Sequence, residues 1–109
     1  MHELSITQSL VDAVLDRTGE RTVTVVNLRI GPLSGVLADA MRFCFDIVSA
    51  DTPLAGAQLR IDEPRGLAHC KKCGEQFELT DLIMLCPCGS ADVEVLSGRE
   101  LMVLSVEVA

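Results

Sequence analysis

Cys70-Lys-Lys-Cys73 and, after a spacer of twelve residues, Cys86-Pro-Cys88 decide the organisation of this chain. Structural zinc sites hold the metal in a tetrahedron of thiolate or imidazole ligands, and paired cysteines on two short turns commonly supply them. The thiols of Cys70, Cys73, Cys86 and Cys88 therefore predict a closed, structural Zn(II) site. The second pair has one intervening residue rather than two, which leaves the exact ligand geometry open.

Other interpretations of these residues also stay open. His69 directly precedes Cys70 and could replace one thiol as a ligand. The motif Cys70-x-x-Cys73 alone would fit a thiol oxidoreductase, but the second pair in matching position favours metal binding. Cys44 lies in an apolar helical stripe and is interpreted as a buried core residue rather than a ligand.

Composition narrows the class of protein. The chain has 109 residues, a net charge of −7 and neither Trp nor Tyr. Nucleic-acid binders usually carry the opposite charge and stack bases on aromatic rings, so a zinc-ribbon module that binds nucleic acid is the weaker alternative. We expect no membrane association, because no apolar run approaches the ~20 residues of a transmembrane helix. Cysteines in metal-type pairs and the lack of an export signal favour the cytoplasm.

The hydrophobic pattern predicts an α+β fold, with two helices packed on a small three-stranded sheet and an inserted zinc-ribbon-like subdomain. Ser5 and Gln8 form a candidate capping box for the first helix, which would leave residues 1–4 as a free arm. The predicted helices are 4–18 and 36–50, and the predicted strands are 21–30, 57–62, a short strand at Val93 and Val95, and 100–108. The corresponding domain boundaries are 1–63 plus 98–109 for the α/β domain and 64–97 for the zinc-binding subdomain.

The first three residues form a second candidate metal site. The free α-amine of Met1, the backbone nitrogen of His2 and the His2 imidazole can close adjacent small chelate rings around one ion, and the amide nitrogen of Glu3 could add a fourth donor. A planar set of nitrogen donors favours Ni(II) or Cu(II). Because cytosolic copper would be Cu(I), which prefers soft thiolates, we expect Ni(II).

Taken together, these motifs resemble the HypA/HybF family, the nickel metallochaperones of [NiFe]-hydrogenase maturation. The resemblance covers essentially the whole chain in order. It is carried by Met1-His2-Glu3-Leu4-Ser5, by Gly31-Pro32-Leu33-Ser34-Gly35-Val36, by the cysteine pairs with Cys88-Gly89-Ser90, and by Gly98-Arg99-Glu100-Leu101. The family pattern has two residues between the cysteines of the second pair, so Cys86-Pro87-Cys88 is a departure from it.

The resemblance implies a carrier protein rather than an enzyme. It implies transferable Ni(II) bound through His2 and the amine of Met1, with Glu3 tuning the site, and a structural Zn(II) on the four paired cysteines. It also implies two partners, the maturation GTPase HypB and the large subunit of [NiFe]-hydrogenase, and some relatives also serve urease. The long apolar C-terminal strand leaves a weak homodimer as an open expectation.

Overall fold

The computed structural model describes residues 2–109 and contains two helices and two three-stranded sheets. The elements are α1 (His2–Thr18), β1 (Val23–Ile30), α2 (Ala38–Ser49), β2 (Gln58–Asp62), β3 (Gly66–Cys70), β4 (Gln76–Leu79), β5 (Val93–Ser97) and β6 (Leu101–Val108). The first sheet has the strand order β2-β1-β6 and the second β4-β3-β5. The predicted α+β class is confirmed, and the last strand lies in the first sheet.

The chain divides into two compact units. The first comprises the residues up to Leu28, Val36–Asp62 and Met102–Ala109, and the second comprises Arg29–Gly35 and Glu63–Leu101. Neither helix in residues 2–109 combines the length and the apolar character that a transmembrane span requires.

Helix α1 begins earlier than predicted. It includes His2 and Glu3, and the hydroxyl of Ser5 donates to the carbonyl oxygen of His2 over 3.1 Å within the first turn. The predicted capping box at Ser5 and the free arm are therefore wrong, because Ser5 lies inside the helix, where a serine hydroxyl can bond back to an earlier carbonyl. His2, Glu3 and Leu4 therefore lie on a helix and not on a free arm.

The core of the first unit joins both helices to β1. Helix α1 buries Thr7, Val11, Val14 and Thr18, which follow helical spacing. The two threonines can be buried because their hydroxyls donate to the carbonyl oxygens four residues earlier, over 2.6 Å for Thr7 and 3.0 Å for Thr18. Helix α2 contributes Met41, Cys44 and Phe45 to the core, which confirms the buried position predicted for Cys44.

Strand β1 is buried on both faces for part of its length, since the adjacent residues Val25 and Val26 are both buried. At its edge with β6, Ala109 N–H donates to the carbonyl oxygen of Thr22, and the Thr24 hydroxyl donates to the carbonyl oxygen of Glu107. Because the partners run in opposite directions along the chain, these two strands are antiparallel. Strand β6 therefore forms one outer edge of this sheet and β2 forms the other.

The second unit is built around β3, which pairs antiparallel with both β4 and β5. The register places His69 opposite Gln76 on one side and opposite Glu94 on the other, with an irregularity between Leu67 and Ala68 on the β5 side. Strand β5 was predicted from the sequence, but β3 and β4 were not. Strand β3 ends at Cys70, so this sheet carries the first cysteine pair directly.

Two of the motifs that carry the family resemblance meet in this unit. Gly31 N–H donates to the carbonyl oxygen of Glu100 over 2.8 Å, and Leu33 N–H donates to that of Gly98 over 2.7 Å. The glycine-proline turn after β1 is therefore hydrogen-bonded to the segment that precedes β6.

Candidate metal centres

The structure brings the four paired cysteines into one cluster. Their sulfur atoms all lie within 4.8 Å of one another. The Sγ atoms are 3.8 Å apart between Cys70 and Cys88 and 3.6 Å apart between Cys73 and Cys86. Four thiolates bound to zinc at about 2.3 Å in a tetrahedron would be about 3.8 Å apart, so the sulfur positions fit a Zn(II) ion of closed coordination.

Each cysteine pair forms a knuckle of the same design. Cys73 N–H donates to the sulfur of Cys70, and Cys88 N–H donates to the sulfur of Cys86, both over 3.4 Å. The next glycine in each case closes the turn, with N–H groups that donate to the carbonyl oxygens of Cys70 and Cys86. The knuckle with one intervening residue thus presents its two sulfurs to the cluster as the longer knuckle does.

Glycine is needed where each knuckle turns. Gly74 has a φ of 83° and Gly89 a φ of 94°, a region that side chains with a Cβ rarely adopt. Neither position has a heavy atom within 4 Å of a Cβ added there, so the requirement is conformational rather than steric. Gly89 belongs to a motif that carries the family resemblance, but the sequence alone does not reveal this conformational role of either glycine.

Further backbone bonds hold the knuckles in place. Cys70 N–H donates to the carbonyl oxygen of Glu75, Lys71 N–H to that of Asp92, and Cys86 N–H to that of Ser90, over 2.8–2.9 Å. In each pair the first cysteine is buried and the second is exposed. The cluster is therefore anchored in the second unit by Cys70 and Cys86, while Cys73 and Cys88 face solvent.

Without a cation, the four thiols cannot all ionise together. The backbone N–H of Cys73 favours the thiolate of Cys70 and lowers the pKa of that thiol to about 6. The N–H of Cys88 likewise favours the thiolate of Cys86, but burial and the neighbouring sulfurs outweigh it and raise the pKa of Cys86 to about 12. Because adjacent negative charges repel each other, the fully ionised set of four needs a bound cation.

His69 is not part of the cluster that residues 2–109 form. The group of potential ligands that lies within 4.8 Å consists of the four cysteines. His69 lies in β3, one residue before Cys70, and is half-buried in its pairing with Gln76 and Glu94. The geometry thus offers four sulfur ligands without a contribution from this imidazole.

The second candidate site lies at the start of α1. Met1 lies outside the described residues. The Nε2 atom of His2 lies 3.5 Å from an Oε atom of Glu3, and the His2 side chain is 56% exposed. The His2 imidazole is therefore accessible, beside a carboxylate.

The carboxylate of Glu3 is held by backbone N–H groups. Its own N–H and that of Leu37, the residue before α2, lower the pKa of Glu3 below its ordinary value of 4.5, and the nearby imidazole of His2 adds to the effect. The carboxyl group therefore stays ionised next to His2 at neutral pH.

The chain is similar to known proteins along nearly its whole length. Residues 1–108 match the family model described as "Hydrogenase/urease nickel incorporation, metallochaperone, hypA". The hydrogenase maturation factor HypA of Geotalea uraniireducens is 48% identical over 109 residues, with 99% of each chain covered. That of a Nostoc species is 44% identical over 108 residues, with 99% of this chain and 96% of the relative covered.

A solved structure has a similar fold. The solution structure of the Ni metallochaperone HypA from Helicobacter pylori superposes with a TM-score of 0.64 and covers 97% of this chain and 96% of its own. The identity between the two sequences is 23%, so this likeness bears on the fold alone.

Proposed function

Since the chain belongs to the HypA family of nickel metallochaperones in hydrogenase maturation, we propose that it binds Ni(II) at its own N-terminus and delivers the ion to the large subunit of [NiFe]-hydrogenase. The observation that carries this proposal is the start of α1. The helix begins at His2, beside the ionised carboxylate of Glu3 and with the His2 imidazole exposed. A transferable ion needs ligands that a partner protein can reach.

The donors proposed for nickel are the amine of Met1, the imidazole of His2 and the backbone nitrogens of this turn, with Glu3 tuning the site. A set of nitrogen donors is what Ni(II) prefers in a planar geometry. The α1 geometry supports the proposal because the His2 imidazole is exposed in the first turn, beside the Glu3 carboxylate.

The four-cysteine cluster is proposed to hold Zn(II) as a structural ion. A site with four thiolates has no open position for a substrate, so it stabilises the fold of the second unit and catalyses nothing. Accordingly, we propose that the chain is a carrier and not an enzyme.

We propose two domains. Residues 1–63 plus 98–109 form the nickel-binding domain, and residues 64–97 form the zinc-binding subdomain. A weaker proposal is that nickel occupancy alters the zinc geometry. X-ray absorption spectra at the zinc edge that are identical with and without nickel would contradict it.

The proposed partners are the maturation GTPase HypB and the hydrogenase large subunit. The chain would accept nickel in cooperation with HypB and deliver it to the large subunit. The proposed compartment is the cytoplasm. The family description names urease as well as hydrogenase, so delivery to a urease is a second candidate for the same nickel site.

The test is calorimetric titration of untagged protein with Ni(II). The chain contains two histidines, so His69→Ala serves as a matched control for His2→Ala. We expect one nickel ion per chain in the natural protein and in His69→Ala, and no measurable binding in His2→Ala, with unchanged zinc content in all three. Nickel binding by His2→Ala equal to that of the natural protein would overturn the assignment of the site.

A further inference from the structure

Helix α2 leaves apolar side chains in solvent. Phe43 is 69% exposed and Ile47 is 56% exposed. Because they are four residues apart, they lie side by side on one face of the helix, and we call this pair the α2 stripe. The chain has three phenylalanines and neither tryptophan nor tyrosine, so it places one of only three aromatic rings in water. Aromatic side chains are enriched in the cores of protein–protein interfaces, which makes the α2 stripe a candidate docking surface.

Two carboxylates flank the α2 stripe. Asp39 precedes Phe43 by four residues and Asp46 follows it by three, the spacings at which side chains meet on a helix surface, and both are exposed. In the part of the chain that the structure describes, neither pairs with a cation. Arg42, the one cationic residue of α2, instead donates to the carbonyl oxygen of Leu59 over 2.6 Å. The surface around the stripe is therefore negative.

Helix α2 begins beside the proposed nickel site. The backbone N–H of Leu37 binds the carboxylate of Glu3, which lies next to His2. At about 1.5 Å per residue, Phe43 lies about 9 Å and Ile47 about 15 Å from Leu37 along the helix axis. A standard interface covers about 800 Å² on each partner, which is a patch about 30 Å across. One partner can therefore cover the α2 stripe and reach the His2 imidazole at the same time.

Charge indicates which partner this surface accepts. A second copy of the chain also carries a net charge of −7, so the carboxylates of Asp39 and Asp46 would repel it. A partner with an apolar pocket edged by lysine or arginine would instead meet opposite charge. If that partner carries Ni(II), the ion adds positive charge to its docking face, while the empty chain presents the carboxylates of the stripe and of Glu3. The surface therefore suits a protein that brings nickel better than one that removes it.

We propose that the α2 stripe, together with Asp39 and Asp46, is the docking surface for the protein that supplies nickel to this chain. Phe43 enters an apolar pocket of that partner, and the two carboxylates meet the basic side chains at its edge. Docking there holds the partner's ion close to His2. This inference rests on the proposed nickel function, because it takes His2 as the group that the ion must reach.

Binding of the full chain, with zinc bound and a free N-terminus, to the immobilised maturation GTPase of the same organism tests the inference by biolayer interferometry. We expect Phe43→Ala to weaken binding by about 30-fold, the loss typical of an interface hot spot. Ile47→Ala should weaken it by a smaller factor. Both side chains are exposed, so both variants should keep the fold, which circular dichroism checks. Leu82→Ala is the matched control, since Leu82 is a 64% exposed residue of the second unit, and its affinity should equal that of the natural protein.

A charge reversal tests the role of the carboxylates. Asp46→Lys should slow association by about tenfold at low ionic strength, and the difference should shrink in high salt, because salt screens exposed charges. Asp16→Lys changes the net charge by the same amount at an exposed position of α1, about 20 Å along the helix from Glu3. We expect the association rate of Asp16→Lys to stay close to that of the natural protein.

Calorimetric titration of the isolated variants with Ni(II) separates this inference from the proposed function. Phe43→Ala should still bind one nickel ion per chain. If the natural chain binds the GTPase through Phe43 but takes up no nickel, the proposed function fails while the docking surface is retained. If it takes up nickel, and Phe43→Ala and Ile47→Ala bind the GTPase as tightly as the natural protein does, the inference alone is overturned.

Three further results would overturn the inference. The first is a natural protein that does not bind the GTPase, and the second is an equal loss of binding in Leu82→Ala. The third is a Phe43→Ala protein that binds the GTPase normally but binds the hydrogenase large subunit less tightly, because the stripe would then serve the acceptor of nickel and not its donor.

Discussion

The two candidate metal centres differ in how the chain assembles them. The cysteine cluster joins two knuckles that are twelve residues apart in sequence, and backbone hydrogen bonds on both sides hold the sulfurs within 4.8 Å of one another. The candidate nickel donors are consecutive in sequence, and the side chain of His2, at the start of α1, is largely exposed. A cluster assembled by the tertiary fold couples metal binding to folding, whereas consecutive residues can bind and release an ion while the core stays intact.

The largest expected effect comes from breaking the cluster. Structural zinc contributes about 10–16 kcal/mol in small zinc-binding domains, which is comparable to the total stability of a domain. Cys86→Ala should therefore abolish stoichiometric zinc binding and remove the hydrogen-exchange protection of β3, β4 and β5. Protection of α1 should persist. Zinc analysis and hydrogen-exchange mass spectrometry measure both results.

Cys44→Ala is the control for that experiment, because Cys44 is a buried cysteine of α2 outside the cluster. We expect it to keep its zinc and to lose about 1 kcal/mol of stability at most, as a small core truncation does. A Cys86→Ala protein with full zinc occupancy and a protected second sheet would show that the fold does not depend on this centre.

The release of protons when zinc binds should be the next largest effect. In the metal-free cluster the pKa of Cys86 is raised to about 12 and that of Cys73 is raised above its ordinary value, so both thiols are protonated at neutral pH. Cys70, with a pKa of about 6, is already mostly ionised. Zinc uptake should therefore release more than one proton, and zinc affinity should fall by more than tenfold for each pH unit of acidification.

Calorimetry in buffers of different ionisation enthalpy measures this proton count. A release of one proton or fewer at pH 7 would contradict the coupling among the thiols that their close spacing implies.

The sequence predicted those parts of the structure that local periodicity determines. The strand predicted at 100–108 and the helix predicted at 36–50 are present, and the cysteine spacing indicated which sulfurs would meet. The apolar faces were read less well, since Met102, Leu104 and Ile47 are 48%, 43% and 56% exposed. Strands β3 and β4 were missed because they have five and four residues and one of them ends in a metal-type cysteine, so alternation over so few positions carries little signal.

The predicted start of α1 was wrong for a different reason. Ser5 and Gln8 fit a capping box locally, but the helix extends back to His2. The buried threonines of α1 were also missed, since a sequence does not reveal that a threonine hydroxyl will bond to the helix backbone and enter the core. In both cases a side-chain hydrogen bond determines the structure, and the periodicity of apolar residues gives no information about such bonds.

Two glycines, one in each unit, allow the two units to be compared directly. Gly74 lies in the first knuckle with a φ of 83°, and Gly56 lies in the first unit with a φ of 75°. Neither has a heavy atom within 4 Å of an added Cβ. Gly74→Ala and Gly56→Ala should therefore impose a similar backbone strain of about 1 kcal/mol. Because only Gly74 lies in a knuckle, the Gly74→Ala protein should lose zinc to a chelator faster than the natural protein, and the Gly56→Ala protein should not. Equal rates of zinc loss for the two variants would mean that the knuckle geometry is not what retains the metal.

The smallest expected effect concerns Glu3. Its pKa is lowered in the folded chain, so its carboxylate stabilises the fold above its ordinary pKa of 4.5, and this contribution disappears as the pH falls through the lowered value. Glu3→Gln should thus lower the melting temperature slightly at pH 6, and the difference from the natural protein should vanish in strong acid. Glu20→Gln, which removes one negative charge just beyond the other end of α1, is the control. If Glu3 also tunes the nickel site, Glu3→Gln but not Glu20→Gln should weaken nickel binding by about tenfold, the low end of the loss expected when a group that orients a metal ligand is removed. Identical nickel affinities and identical pH profiles in the two variants would show that Glu3 acts only as a surface charge, and the N-terminal centre would then rest on His2 and the backbone alone.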